Sequence, residues 1–400
     1  MRVLFTTTGY SGHVLPLLPF ARALQRAGHD VRVATQRSRV EAVEGRGLTA
    51  WPLSEASEAA WAPLMGRLST LLRPEADVMI IRDGFVGLGA RTALPDVLAI
   101  VESWQPDLVV RESYELAGAI AAELHRIPYA VVTLGLASTE DWVRGLVAEP
   151  VADLRRELGL PPDRAGERLR QAPMLSLLPA AFDDGTAHRF GDADPMAAAP
   201  LPDWWANADD PLVYLTLGSV AGSLPLFPDL YRAAIDVLSP LPVRVLLTLG
   251  ADADSDQLGP LPANVHAEPW LPQGAVLPHA AAVVCHGGFG TTLGALTYGV
   301  PLVAMPLFAG DQWRNARRVA EVGAGIALAN GPRRTLELPG PELIAALPDA
   351  VARMLDEPGY GAAALRMADA IAELAPIDAA VDLLARATGS AAAPGRWAGS

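Results

Sequence analysis

Apolar residues in this chain fall into short unbroken runs and helically spaced stripes, and the two alternate. Arg2–Thr8 (RVLFTTT) is an unbroken run, which predicts a strand covered on both faces, as in a parallel sheet. Gly9-Tyr10-Ser11-Gly12 is turn material, and His13–Ala27 carries apolar positions at helical spacing until Gly28. Val31–Ala34, Asp107–Val110 and Tyr129–Leu134 are read as further strands, with a helix over Leu116–His125. Glu55–Trp104 reads as helices and loops, the kind of insertion that shapes a binding cleft above a sheet.

The alternation breaks over Ala193–Asp210 (ADPMAAAPLPDWWANADD), a Pro-, Ala- and Asp-rich stretch read as a linker. It then resumes. Strands are expected at Leu212–Leu217, Val243–Leu249, Val265–Glu268, Val283–Cys285 and Leu302–Met305. Helices are expected over Leu226–Leu238 and Thr291–Tyr298, and from Gln312 and Pro341. A last helical pattern, Ala362–Ala387, is long enough to return to the first half, and the GSAAAPGRWAGS tail reads as mobile. Strands alternating with helices predict an α/β fold of two Rossmann-like domains facing each other across a cleft. The expected bounds are 1–200, 201–375, and a returning helix with tail over 376–400.

Composition narrows the chemistry. With 400 residues, 51% hydrophobic and 19% charged, the chain is globular and long enough for two cores. A net charge of -14 argues against a nucleic-acid or anionic-membrane surface. No unbroken apolar segment is of membrane-spanning length, and the first residues lack the pattern of a signal peptide. The one cysteine rules out an internal disulfide and makes a reducing, cytoplasmic setting the simplest expectation. All 31 basic residues are arginine, so a Walker lysine or a lysine nucleophile is excluded.

Ligands of open α/β sheets bind beyond the carboxyl ends of the strands. His286–Thr292 (HGGFGTT) lies between a strand and a helix, where glycine amides and a helix N-terminus suit an anion such as a pyrophosphate. His286 and the Thr291 hydroxyl add donors, and Leu217-Gly218-Ser219 repeats the arrangement; for the glycines alone, tight packing explains the motif equally well. Trp270 offers a face for a base and Gln273 a hydrogen-bonding edge, against core packing for the tryptophan. Asp311-Gln312 suits sugar hydroxyls, against a helix cap for Asp311. His13 follows the first strand and its turn at a helix start, a setting that keeps an imidazole neutral and able to accept a proton. Asp252-Ala253-Asp254-Ser255-Asp256 has the D-x-D form of a metal site but reads as a solvated polar loop.

Trp270-Leu-Pro-Gln273, His286-Gly-Gly-Phe-Gly-Thr291, Gly299-Val-Pro301 and Asp311-Gln312 occur in that order. Together with the opening GYSGHVLPLLPFARALQRAGHDV and VYLTLGS, this series resembles the nucleotide-sugar-dependent glycosyltransferases of the GT-B fold. The resemblance is to the UDP-glycosyltransferase family, bacterial natural-product type, and it covers essentially the whole chain. It implies that His13 is the catalytic base, with Glu112 its matching acidic partner where the family more often has Asp; a surface role or pairing with Arg111 is the alternative for Glu112. It implies further that Trp270 stacks on the pyrimidine and that Gln273 lies near base or ribose. His286, Gly288, Gly290, Thr291 and Ser219 would hold the diphosphate, and Asp311 and Gln312 the donor sugar. Where plant members carry a ribose-binding glutamate this chain has Gly294, which leaves dTDP and UDP both open.

The expected activity is metal-independent, inverting transfer of a sugar from a dTDP- or UDP-sugar to a hydroxyl of a small lipophilic acceptor. No cofactor beyond the nucleotide-sugar co-substrate is expected. The expected partners are that donor and a small hydrophobic acceptor, with a homodimer allowed, no nucleic acid and no membrane span. Trp61, Met65 and Phe85 are candidate acceptor-pocket residues, or core. The alternatives are a nucleotide-sugar epimerase or hydrolase on the same scaffold, or a non-catalytic auxiliary protein.

Overall fold

The computed structural model describes residues 1–192, 210–219, 221–223, 227–250, 253–329, 331, 334 and 337–389. Most of the expected linker, the tail beyond 389, Leu226 and Asp252 lie outside the described residues. The chain forms two compact units. The first comprises Met1–Leu71, Glu75–Asp192 and Leu374–Ser400; the second comprises Leu72–Pro74 and Ala193–Glu373.

The first unit is built on a parallel sheet of β1 (Arg2–Thr6), β2 (Asp30–Gln36), β3 (Thr49–Leu53), β4 (Leu108–Glu112), β5 (Tyr129–Val132), β6 (Met174–Ser176) and β7 (His188–Gly191). In the second, β8 (Leu212–Thr216), β9 (Arg244–Thr248), β10 (Val265–Glu268), β11 (Ala280–Cys285), β12 (Leu302–Ala304) and β13 (Gly325–Ala327) form a six-stranded parallel sheet, ordered β10-β9-β8-β11-β12-β13. The two-residue β14 (Ala375–Pro376) pairs with β7 and completes the first sheet, ordered β14-β7-β6-β5-β4-β1-β2-β3. The chain leaves β14 through the helix Ala379–Gly389, which packs on the helix Leu18–Arg26 of the first unit.

Each order contains one reversal. The chain winds outward from β1 through β2 to β3 and resumes at β4 on the other side of β1. In the second unit it winds from β8 through β9 to β10 and resumes at β11. At such a reversal the connections leave in opposite directions and open a crevice beyond the strands' carboxyl ends. The register fixes what borders it: Thr6 pairs with Arg111, and Thr216 with Cys285. Thr8, His13 and Glu112 therefore come from one reversal, and Gly218 and His286 from the other.

Several elements differ from expectation for identifiable reasons. β6 and β13 are only three residues long, and β3 contains Pro52, so none makes a clear apolar run. The expected helix His13–Ala27 is a helical turn Ser11–Val14, a 3-10 turn Leu15–Leu17 and the helix Leu18–Arg26; Pro16 and Pro19 lack the amide hydrogens an unbroken α-helix needs. The pattern Ala362–Ala387 divides into the helix Pro358–Ala372 and Ala379–Gly389, because Pro376 holds Ala375 extended in β14. Arg73–Trp104 is one helical run of 32 residues, long and apolar enough by length and composition to cross a membrane, contrary to expectation. Arg82, Asp83, Arg91 and Asp96 interrupt it in the sequence. Its Val86, Ala90, Leu94, Val97 and Val101 are buried in the first unit's core, as in a core-facing helix.

The helix Asp229–Leu238 shows how the second core is filled. Leu230, Tyr231, Ala234, Ile235 and Leu238 are buried, one helical stripe set on the sheet. Ile235 is fully buried. Ile235→Ala is expected to remove about 2–5 kcal/mol of stability from this unit. Denaturant unfolding followed by a probe in the second unit checks this.

Candidate functional site

In the first unit the chain leaves β1 at Thr6, turns through Gly9 at φ +88°, and brings His13 into the first helical turn. The imidazole Nδ1 lies 3.0 Å from Oε1 of Glu112, the last residue of β4. This carboxylate is fully buried. Besides the ring it accepts the Thr8 amide at 3.3 Å, the Thr8 hydroxyl at 3.1 Å and, at Oε2, the Tyr114 amide at 2.6 Å. Burial alone would push its carboxyl up. The His13 charge and hydrogen bond, with the Tyr114 and Thr8 amides, outweigh that and hold it below the ordinary carboxylate range. The structure thus places Glu112, the implied acidic partner, in contact with His13. Its alternative partner is otherwise engaged: Arg111 donates to the backbone carbonyls of Glu112 and Ser113.

Two features of this cluster differ from the sequence reading. The Glu112 carboxylate sits directly against the ring, and with Nδ1 turned to it Nε2 is the nitrogen available for chemistry. Thr8 was not singled out, yet its Oγ1 lies 2.8 Å from Nδ1 as well as against Glu112. The only signal for it was a hydroxyl residue just past a buried strand. Beside the pair is a recess of about 540 Å³, counted out to open solvent and bordered by Thr8, Tyr10, Trp61, Phe85 and Tyr114. Of the candidate pocket residues Trp61 and Phe85 line it, whereas Met65 does not and is exposed.

In the second unit His286 follows β11 and its ring is set between two glycines. A Cβ on Gly218 would lie 2.7 Å from the ring, and a Cβ on Gly288 2.4 Å from it, so any side chain at either position displaces the imidazole. Gly287 is constrained twice, by φ +80° and by the Gln312 carbonyl 2.8 Å from where a Cβ would be. Packing and ligand approach are therefore not alternatives for these glycines: close packing holds the histidine in place. Burial lowers the His286 pKa to about 4, so the ring is neutral and can serve as a hydrogen-bond donor rather than a cation.

The helix Phe289–Thr297 starts at Gly288 with no side-chain cap, so its first amides have no intrahelical partner. Around this turn, among the described residues, His286 Nδ1, Gln273 Oε1 and Thr292 Oγ1 are buried without a hydrogen-bond partner. Each has hydrogen-bonding capacity left for a ligand or a water. Gln273 donates to Thr291 Oγ1 at 3.0 Å, tying both implied residues together. Gly290 has open space where a Cβ would be, and Ser219 is exposed beside Gly218. Trp270 is 58% exposed, which excludes core packing and leaves a ring face for stacking.

The Asp311-Gln312 pair divides. Asp311 lies in the first turn of the helix Gly310–Glu321, where Ala309 and not Asp311 is the cap residue. Gln312 is buried, and its Oε1 accepts the amides of Leu307 at 2.9 Å and Phe308 at 3.1 Å. Its carbonyl end is thus spent on the loop before the helix, which the sequence did not anticipate. Asn315 was missed: its Nδ2 donates to the Gly287 carbonyl at 2.9 Å and anchors the glycine turn. It lies three residues after Gln312, on the same helix face. Asp254 caps the turn Ser255–Leu258, and among the described residues no group of three or more His, Cys, Asp or Glu could hold a metal ion.

A buried neutral histidine leaves a mark on stability. Unfolded, the ring titrates near 6.5; folded, near 4. The unfolded chain therefore takes up the proton first as pH falls, and stability drops between these values by up to about 3 kcal/mol, with no such loss above pH 6.5. In His286→Gln this part of the acid sensitivity is expected to disappear. Urea unfolding of both proteins at neutral pH and near pH 4.5 measures the difference.

Relatives with established names share this organisation. Residues 22–160 match the erythromycin biosynthesis protein CIII-like N-terminal domain and residues 232–385 its C-terminal domain. The L-demethylnoviosyl transferase of Streptomyces niveus is 34% identical over 342 residues, 82% of this chain and 85% of that protein. The elloramycin glycosyltransferase ElmGT of Streptomyces olivaceus is 31% identical over 407 residues, 96% and 97% of the two chains. Among solved structures, glycosyltransferase SsfS6 of Streptomyces sp. SF2575, complexed with thymidine diphosphate, superposes with a TM-score of 0.77 at 28% identity, covering 96% of this chain and 99% of that one. SnogD of Streptomyces nogalater superposes with a TM-score of 0.75 at 27% identity, covering 97% and 99%. The chain belongs to the erythromycin biosynthesis protein CIII-like family, bacterial natural-product glycosyltransferases of the GT-B fold.

Proposed function

We propose that this protein transfers a sugar from a dTDP-sugar to a hydroxyl group of a small lipophilic acceptor, in a single displacement that inverts the anomeric carbon without a metal ion. The observation that carries the proposal is the 3.0 Å contact between His13 Nδ1 and the buried Glu112. It supports a proton on Nδ1 and a lone pair on Nε2, the arrangement a general base needs. In the proposed step the acceptor oxygen attacks the anomeric carbon and its proton passes to His13 Nε2. The bond from that carbon to the diphosphate oxygen breaks, and the nucleoside diphosphate leaves with the electron pair. Glu112 holds the ring and stabilises the imidazolium as it forms.

On the donor side, the His286 ring and the amides of Gly288, Gly290 and Thr291 are assigned to the diphosphate, with Ser219 alongside. As a neutral ring His286 acts by hydrogen bonding, and the helix N-terminus supplies the positive potential that stabilises the leaving group. Trp270 is assigned to the base and Gln273 Oε1 to a base or ribose donor. Asp311 is assigned to the sugar, and Gln312 to shaping the loop beside it. Thymidine is favoured because Gly294 places no carboxylate where a ribose 2′-hydroxyl would need one, and because SsfS6 was solved with thymidine diphosphate.

Three results test the proposal. dTDP at about a hundred times its Kd is expected to stabilise the protein by about 2.7 kcal/mol, with NAD and ADP giving no shift. His13→Ala is expected to lose about 10²- to 10⁴-fold in transfer from a panel of dTDP-sugars while keeping the dTDP shift. The anomeric proton coupling of the product is expected to show inversion, with full rates in excess chelator. Undiminished transfer by His13→Ala, or a retained configuration, contradicts the mechanism.

A further inference from the structure

The recess beside His13 is lined in a way that proton transfer alone does not require. The Phe85 and Tyr114 rings stack on each other, 5.1 Å apart and 24° from parallel. Both lie 5.6 Å from the His13 ring, and Tyr10 lies 5.9 Å from it. Trp61 adds a fourth aromatic side chain to the lining. Phe85 comes from Ile80–Ala90, a π-helical segment within the long helical run. Gly84, Phe85, Gly89, Ala90 and Ala93 all face the recess. They recur every four or five residues, a spacing that i→i+5 bonding keeps on one side of the helix.

The two glycines on that side differ. A Cβ at Gly84 would lie 2.8 Å from Ile80 Cδ1, 3.2 Å from Trp61 and 3.3 Å from Leu64, so its bareness is what lets Trp61 pack in place. A Cβ at Gly89 would have its nearest neighbour, the Gly84 carbonyl, at 3.4 Å, an ordinary contact, and Gly89 is not among the positive-φ glycines. Neither packing nor backbone asks for glycine there, and helix propensity opposes it. The space it leaves belongs to the recess.

We propose, on the reading of His13 as the base, that this recess takes a flat, fused-ring phenolic acceptor, and that Gly89 and Ala93 set how many rings it admits. Aromatic walls beside positions with little or no side chain favour a ligand that presents ring faces over one that presents branches. The same aromatic rings touch His13, so the hydroxyl to be glycosylated sits on the edge of the ring system. Leucine at either helix position fills the space reserved for the outer ring.

Calorimetric titration of the full chain with alizarin (three fused rings), umbelliferone (two) and erythromycin (a non-planar macrolactone) tests this, with Gly89→Leu and Ala93→Leu as variants. The comparison uses whichever variants keep the wild-type unfolding transition. Alizarin is expected to bind saturably at one site and to weaken about tenfold or more in the leucine variants, while umbelliferone changes by less than about twofold. Erythromycin is expected to bind more weakly than alizarin. Alizarin affinity unchanged in the variants, equal loss of both planar ligands, or tighter binding of the macrolactone overturns the inference. A missing dTDP shift in the wild-type protein beside intact, variant-sensitive alizarin binding would instead sink the transferase reading and leave standing only a site for flat ring systems gated by Gly89 and Ala93.

Discussion

The burial of Glu112 is the constraint on which the first unit's chemistry depends. A carboxylate with no solvent exposure must find its hydrogen bonds within the protein, and Glu112 finds four, one of them from His13. That set exists because β4 lies beside β1, with Arg111 opposite Thr6, so the residues that follow both strands meet at one point. Its donors leave the carboxylate no freedom to turn away, and the imidazole is oriented accordingly. In the proposed mechanism it is this orientation, more than proximity alone, that suits His13 to act as the base.

The second unit uses the same topology for the opposite task. Its reversal between β8 and β11 brings Gly218 against His286, and Asn315 and Gln312 fasten the turns that follow β11 and β12. There the histidine is deprived of charged partners and burial keeps it neutral. One imidazole is held by a carboxylate with a nitrogen left to accept a proton; the other is held by glycines and suited to donate. Two similar folds thus give two histidines different characters through what the adjoining strand ends place beside them.

Much of this was legible in the chain. Buried parallel strands announce themselves as apolar runs, so β1, β4, β8 and β11, which carry both sites, were readable. The short strands β6, β13 and β14 and the Pro-containing β3 were not, because they form through pairing rather than through their own pattern. His13 and His286 could be found from glycine turns at strand ends. Glu112 needed the resemblance, since nothing local separates it from Arg111 or Glu115. Thr8, Asn315 and the inward turn of Gln312 stayed hidden because each is defined by contacts with distant or irregular backbone. Trp270 was undecidable, as a lone tryptophan carries no mark of exposure.

The most direct test of the account is the position of the proton on the His13 ring. Long-range nitrogen–proton spectra of protein labelled with ¹⁵N-histidine, with the His13 signals assigned by their loss in His13→Gln, report it without any substrate. For the neutral ring the account predicts a proton on Nδ1, facing Glu112, and an unprotonated Nε2; in Glu112→Gln this preference should weaken. A neutral His13 that carries its proton on Nε2 in the wild-type protein could not accept one from an acceptor hydroxyl there, and would contradict the central claim.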